Sequence, residues 1–158
     1  MMAAQVFRFG LRALGIAAML IGAMMFLLGP AATGHAFAVL LDAVARTGTD
    51  LAGLAAANTD SELRFYAVFW FVYGIFALRV ARRLPDSIGQ ARLLLGLFLL
   101  GGVGRVLSLG AAGTPHPLFV VLMGTELVLP VALIGISFFN SVTTPRRSPQ
   151  PDTADRAL

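Results

Sequence analysis

Apolar residues along this chain fall into four long runs, separated by short stretches rich in arginine, glycine and proline. A helix needs about 20 predominantly apolar residues to cross a bilayer, and each run reaches or approaches that length. The first is free of charge from Leu14 to Leu28, is preceded by Arg8 and Arg12, and ends at Gly29 and Pro30. The second, 65–78, borrows its flanking residues to reach full length, with Ser61 or Asp60 expected as its N-cap. The third starts near Ile88 or Arg92 and ends around Gly110 to Gly113. The fourth starts at Pro117, a residue suited to a first helical turn, and ends before Thr143, Thr144 and Pro145. The pattern predicts an all-α, polytopic membrane protein. Its four-transmembrane-helix bundle has spans of 11–29, 63–81, 90–112 and 117–140 in one membrane domain, 1–142. From 143 to 158, Pro, Ser, Asp and Thr predict a disordered cytoplasmic tail.

Composition agrees with the pattern. The chain is 58% hydrophobic and 13% charged, with a mean hydropathy of +0.82, far from an ordinary soluble domain of 158 residues. All of its basic charge is arginine. A net charge of +4 would suggest nucleic acid in a soluble protein, but these arginines flank apolar runs, so topology explains them. The expected partner is the lipid bilayer, with a membrane-protein partner or a second copy next, and no nucleic acid. With no cysteine, disulfides, thiol catalysis and thiolate metal sites are excluded.

Arginine placement also predicts orientation. Arg8, Arg12, Arg79, Arg82, Arg83, Arg92, Arg146 and Arg147 fall on one side of a four-span chain. The other side has Arg46 and Arg64, offset by Asp42, Asp50, Asp60 and Glu62. The positive-inside rule then puts both termini in the cytoplasm. The first run also imitates a signal peptide, with Ala36, Phe37 and Ala38 as an A-x-A site. Its length and Gly29 with Pro30 well before that site favour an uncleaved span. Phe37, Leu40, Leu41 and Val44 recur at helical spacing, so 35–46 reads either as an interfacial amphipathic helix or as a loop packed over the bundle.

Two residues interrupt the spans. Arg105 lies within 93–112 and Glu126 within 118–139. An ionisable side chain in a bilayer costs about 2.5–3.5 kcal/mol or more and marks a candidate functional site. At 1.5 Å per residue, Arg105 lies about 10 Å from the outer end of its helix and Glu126 about 13 Å into the next. The turn between these spans is short, so the charges face each other at one depth in the outer leaflet and can form a charge-assisted pair. Gly104 and Ser108 give a small-xxx-small spacing that permits close helix approach, and Gly101 and Ser108 share a face with Arg105. Pro130 removes the hydrogen bond to the Glu126 carbonyl and predicts a bend there. One reading is a small binding or proton-accepting pocket; the other is a salt bridge that fixes helix register.

Other candidates carry less. Asp60, Ser61, Glu62, Arg64 and Tyr66 gather at the outer mouth of the second span, where they extend the pocket or simply cap and anchor the helix. The aromatic group of Phe65, Tyr66, Phe69, Trp70 and Tyr73 suits interface belts and packing better than a quinone or sterol site. His35 and His116 lie near loops rather than within facing helices, so no haem, metal or other cofactor is expected. No nucleophile–base spacing or phosphate loop is present.

Three stretches carry a family resemblance: Thr59, Asp60, Ser61, Glu62, Leu63, Arg64, Phe65, Tyr66; then Gly101, Gly102, Val103, Gly104, Arg105, Val106, Leu107, Ser108; then Pro115, Glu126 and Leu127. In this order they resemble the bacterial membrane family called domain of unknown function 4345, over roughly 11–139. The resemblance implies a four-span inner-membrane protein and marks Glu62, Arg64, Arg105, Ser108 and Glu126 as motif positions, with no activity attached. The Ser61-Glu62 and Arg64-Phe65-Tyr66 pattern is also faintly similar to a small four-span scaffold of eukaryotic sterol synthesis, as analogy only. The expected function is non-enzymatic: a small molecule, lipid or partner helix binds at the Arg105–Glu126 locus, with Ser108, Glu62, Arg64 and Tyr66 around it. The alternative is a membrane enzyme or proton-coupled transporter that uses Glu126.

Overall fold

The computed structural model describes residues 2–142, and the tail from 143, with Arg146 and Arg147, lies outside the described residues. The helices are α1 (Met2–Leu28), α2 (Pro30–Ala45), α3 (Ala57–Arg82), α4 (Ile88–Ala112) and α5 (Pro117–Val142), with a 3₁₀ turn at Ala52–Ala55. Among the described residues there is no strand. α1, α3, α4 and α5 are each long and apolar enough to cross a membrane. α1 begins at Met2, well before residue 11, so Arg8 and Arg12 belong to the helix itself.

Local sequence explains the breaks. Gly29 adopts φ 90°, a conformation suited to glycine, and Pro30 then opens α2 at its first turn. α2 occupies the segment read as an interfacial helix or loop; its Thr33 and Ala38 are buried, while Leu40 and Val44 remain exposed. α3 starts earlier than the expected caps. Ala56 is its N-cap and Asp60 lies in its first turn, so neither Asp60 nor Ser61 caps it.

The four long helices pack in a ring: α1 beside α3, α3 beside α4, α4 beside α5, and α5 back against α1. The α1–α3 seam is the most extensive, and small residues make it. A Cβ added at Gly74 would lie 2.5 Å from the Gly15 carbonyl oxygen, and one at Gly22 would lie 2.8 Å from that of Ala67. The backbones therefore touch almost directly. Gly15 and Gly22 on α1, and Ala67, Gly74 and Ala81 on α3, recur every seven residues, the spacing that keeps one face of each helix on a nearly parallel partner. On α4 the close approach is at Gly102, where a Cβ would meet the Glu126 Cβ at 3.0 Å. This corrects the expected Gly104–Ser108 contact: Gly104 has nothing within 4 Å, because it faces away from α5.

The apolar core occupies one half of the ring's length. Phe7, Leu11 and Leu14 meet Ala77, Val80 and Ala81, then Ala91, Leu95 and Phe98, with Leu133 from α5. Tyr73 stacks on Phe98, Trp70 meets the same ring edge-on, and the Tyr73 hydroxyl donates to the Leu94 carbonyl at 2.9 Å, so these aromatics are core packing. Polar ties close this end: Arg8 donates to the Leu84 carbonyl at 2.9 Å and Ser87 to that of Val80 at 2.8 Å. Leu20, Phe69, Leu100, Leu107 and Val128 point outward, as a lipid-facing surface requires.

Replacing Gly74 by leucine forces a side chain into the Gly15 backbone. We expect Gly74→Leu to destabilise the protein by more than about 3 kcal/mol, whereas Gly104→Leu stays within about 0.5 kcal/mol of wild type. Thermal unfolding in detergent, followed through Trp70 fluorescence, reads both; equal effects would contradict a seam built on glycine.

Candidate functional site

Gly102 brings α4 against α5 so closely that the neighbouring turns must interact. A Cβ there would lie 3.1 Å from the Glu126 carbonyl carbon, so α4 abuts the turn of α5 from which Pro130 removes a hydrogen bond. Pro130 is fully buried, and α5 continues through it as one helix. One turn beyond Gly102, Arg105 reaches across, and its Nε donates to Glu126 Oε2 at 2.7 Å.

The two side chains differ in exposure. Glu126 is 6% exposed and Arg105 35%. The carboxylate sits on a short side chain against Gly102, whereas the long arginine leans toward the start of α5. There its Cζ lies 5.7 Å from the centre of the Phe119 ring, a cation–π distance. The contact uses Nε alone rather than the two-point fork that the residue types allow. Among the described residues, the Nη amines of Arg105 meet no acceptor. Phe119 also lines a pocket of about 270 Å³, walled by Leu51, Leu54, Pro115 and His116 with Asp50 at its edge.

The other expected site residues stand elsewhere. Ser108 is exposed and, among the described residues, makes no hydrogen bond. Glu62 is exposed, and Tyr66 packs edge-on against Phe65 at 5.5 Å on the outer surface. Arg64 bonds to α3 and α1: Nε to Asp60 at 2.7 Å and Nη1 to the Phe26 carbonyl at 2.8 Å. In an uninterrupted helix the Phe26 carbonyl would accept from residue 30, but Pro30 has no N–H. Arg64 supplies the missing donor and places a cation at the C-terminus of α1, where the helix dipole favours one. The Asp60–Arg64 pair therefore closes α1 and is not bonded to Arg105 or Glu126.

His116 has a comparable role at the start of α5. Its Nδ1 accepts from the Leu118 N–H at 3.2 Å and its Nε2 lies 3.0 Å from the Gly48 carbonyl. The tautomer with hydrogen on Nε2 satisfies both contacts and ties the segment after α2 to α5. Among the described residues, no three His, Cys, Asp or Glu side chains gather as metal ligands would.

One inter-helix contact escaped the sequence reading. Arg92 Nε donates to Ser137 Oγ at 2.9 Å, and its Cζ lies 4.0 Å from the centre of the Phe138 ring. The signal was available: the antiparallel register that sets residue 105 beside 126 also sets 92 within two residues of 137 and 138. α4 and α5 are thus joined by an arginine near each end.

The chain matches the family described as domain of unknown function (DUF4345) over residues 6–137, and it belongs to that family. The match runs from the first turns of α1 to Ser137 and includes Arg64, Arg105 and Glu126. No curated protein and no solved structure matches.

These contacts generate two predictions. Because Glu126 is the more buried partner, Arg105→Leu strands a carboxylate and destabilises by about 3–5 kcal/mol. Glu126→Leu costs less, since the freed arginine reaches water, and the double Leu variant is at least as stable as wild type. Chemical denaturation of the three variants in detergent measures this order. For the other arginine, Arg64→Leu lowers the melting temperature. Adding Pro30→Ala, which restores an N–H for Phe26, recovers part of the loss; no recovery would remove the capping role.

Proposed function

We propose that this is a non-enzymatic membrane protein that binds an amphiphile with an anionic or hydrogen-bond-accepting group at Arg105. The observation that carries this reading is the state of the guanidinium. Its Nε is anchored on a carboxylate 2.7 Å away, while the side chain is 35% exposed and its Nη amines lack an acceptor among the described residues. Glu126 positions the guanidinium; Arg105 contacts the ligand. α4 spans about 37 Å at 1.5 Å per residue, against about 30 Å of hydrocarbon. Arg105, seven residues from its end, is within reach of the headgroup zone. Phe119, Leu51 and Leu54 provide apolar surface for the rest of such a ligand.

The arginine distribution supports a bacterial inner membrane with both termini cytoplasmic. Arg8, Arg12, Arg79, Arg82, Arg83 and Arg92 belong to one end of the helices, and Arg46 and Arg64 to the other. The binding site then faces the outer leaflet.

Native mass spectrometry of the full chain, purified in mild detergent, tests the reading. A small-molecule adduct on wild type is expected, retained in Glu126→Gln at reduced occupancy and absent from a folded Arg105→Leu/Glu126→Leu variant. The same adduct on the folded double variant, or none on wild type loaded with membrane lipid extract, would leave Arg105 and Glu126 as a register-fixing pair.

A further inference from the structure

The end of the helices opposite Arg105 holds a second concentration of charge. α1 carries Arg8 and Arg12, α3 carries Arg79 and Arg82, and Arg83 follows at once. Asp86 is the acidic residue of the turn they surround. Arg12, Arg79, Arg82 and Arg83 are exposed and meet no acceptor among the described residues.

The helix register shows which of them act together. Gly15 packs against Gly74, Ala77 and Leu78, and Arg8 donates to the Leu84 carbonyl. Arg12 is therefore level with Arg79, and Arg8 with Arg82, about 6 Å further along the axis at 1.5 Å per residue. Faces follow from the same contacts. Leu11, Leu14, Ala77 and Ala81 fill the core side of the α1–α3 seam. Arg12 lies one turn from Gly15 on the opposite side, with Arg8 one turn beyond it, and Arg82 lies one turn from Leu78 on that side too. Three guanidinium groups from two helices thus flank one strip of seam.

That strip continues into apolar surface. About 16 Å farther along α1, at 1.5 Å per residue, the seam opens into a groove of about 270 Å³ lined by Gly22, Ala23, Phe26, Ala67, Val68 and Phe71. The groove's lining is entirely apolar. A cationic end and an apolar channel on one face of one seam match a molecule with an acyl chain and an anionic head.

We propose that the α1–α3 seam binds an anionic phospholipid, its headgroup phosphate held by Arg8, Arg12 and Arg82 and an acyl chain lying past Met19 toward the groove. Guanidinium groups are suited to holding phosphate, because each presents a planar fork to the phosphate oxygens and stays charged throughout. The site is separate from Arg105 and does not depend on what Arg105 binds.

The test adds phosphatidylglycerol or phosphatidylcholine of identical acyl chains to the detergent-solubilised full chain and counts adducts by native mass spectrometry. Phosphatidylglycerol should exceed phosphatidylcholine about tenfold and fall about tenfold in Arg12→Gln/Arg82→Gln, with unchanged melting temperature. It should persist in Arg105→Leu/Glu126→Leu, which keeps this site apart from the other. Millimolar inorganic phosphate should not displace it. Equal binding of the two lipids, or full binding to Arg12→Gln/Arg82→Gln, overturns the proposal; displacement by inorganic phosphate makes this a free-anion site and overturns it too. If the double variant does not fold, Arg82→Gln alone, at an exposed position, carries the same comparison.

Discussion

Backbone contact between helices is the interaction on which this structure depends. Lipid is as apolar as leucine, so burying leucine between two helices in a bilayer gains little; close packing and hydrogen bonds must hold them together. α1 and α3 meet where Gly15 and Gly74 leave room for main chain against main chain, and α4 meets α5 at Gly102. The consequences differ. In the first pair the approach continues over two heptads and makes the main seam. In the second it brings Glu126 under the arm of Arg105, so a packing feature becomes a polar one.

Proline sets a second condition. A carbonyl freed at membrane depth must find another donor. Pro30 frees the carbonyl of Phe26, and Arg64 answers it from the neighbouring helix. Asp60 holds that arginine from one turn away, so a break in one helix is repaired by an ion pair on another. Pro130 stands in the same relation to the Glu126 carbonyl, inside a helix that does not break. Both arrangements place an arginine beside a proline-interrupted turn, but Arg64 uses its Nη1 on the backbone, whereas Arg105 uses only its Nε on a side chain.

The arginines thus divide by what surrounds them. Arg8 and Arg64 are donors to main-chain carbonyls and belong to the architecture. Arg92 joins α4 to α5 through Ser137 and the face of Phe138. Arg105 is anchored yet open, and Arg12, Arg79, Arg82 and Arg83 stand exposed at the opposite end. Arg105, Arg12, Arg79, Arg82 and Arg83 have guanidinium surface to offer a ligand, and Arg8, part-buried and bonded once to the Leu84 carbonyl, borders the last group.

Element type and order were legible along the chain, because an apolar run of span length has few alternatives to a helix when its backbone must bond to itself. So was the likeness in depth of Arg105 and Glu126, since a short turn between antiparallel helices sets their register. The family match, over residues 6–137, spans both. What the tertiary structure decided is which faces meet. Every glycine in a span offers close approach, but a helix touches a neighbour on one side only: Gly102 is on that side and Gly104, two residues on, is not. The same limit separated Arg64 from Arg105. The sequence places both toward the same end of the bundle, away from Arg8 and Arg79, yet their partners depend on the ring order, which puts α3 beside α1 and α4 beside α5. Neighbours in space, unlike neighbours along a helix, are set by the packing of all four helices at once.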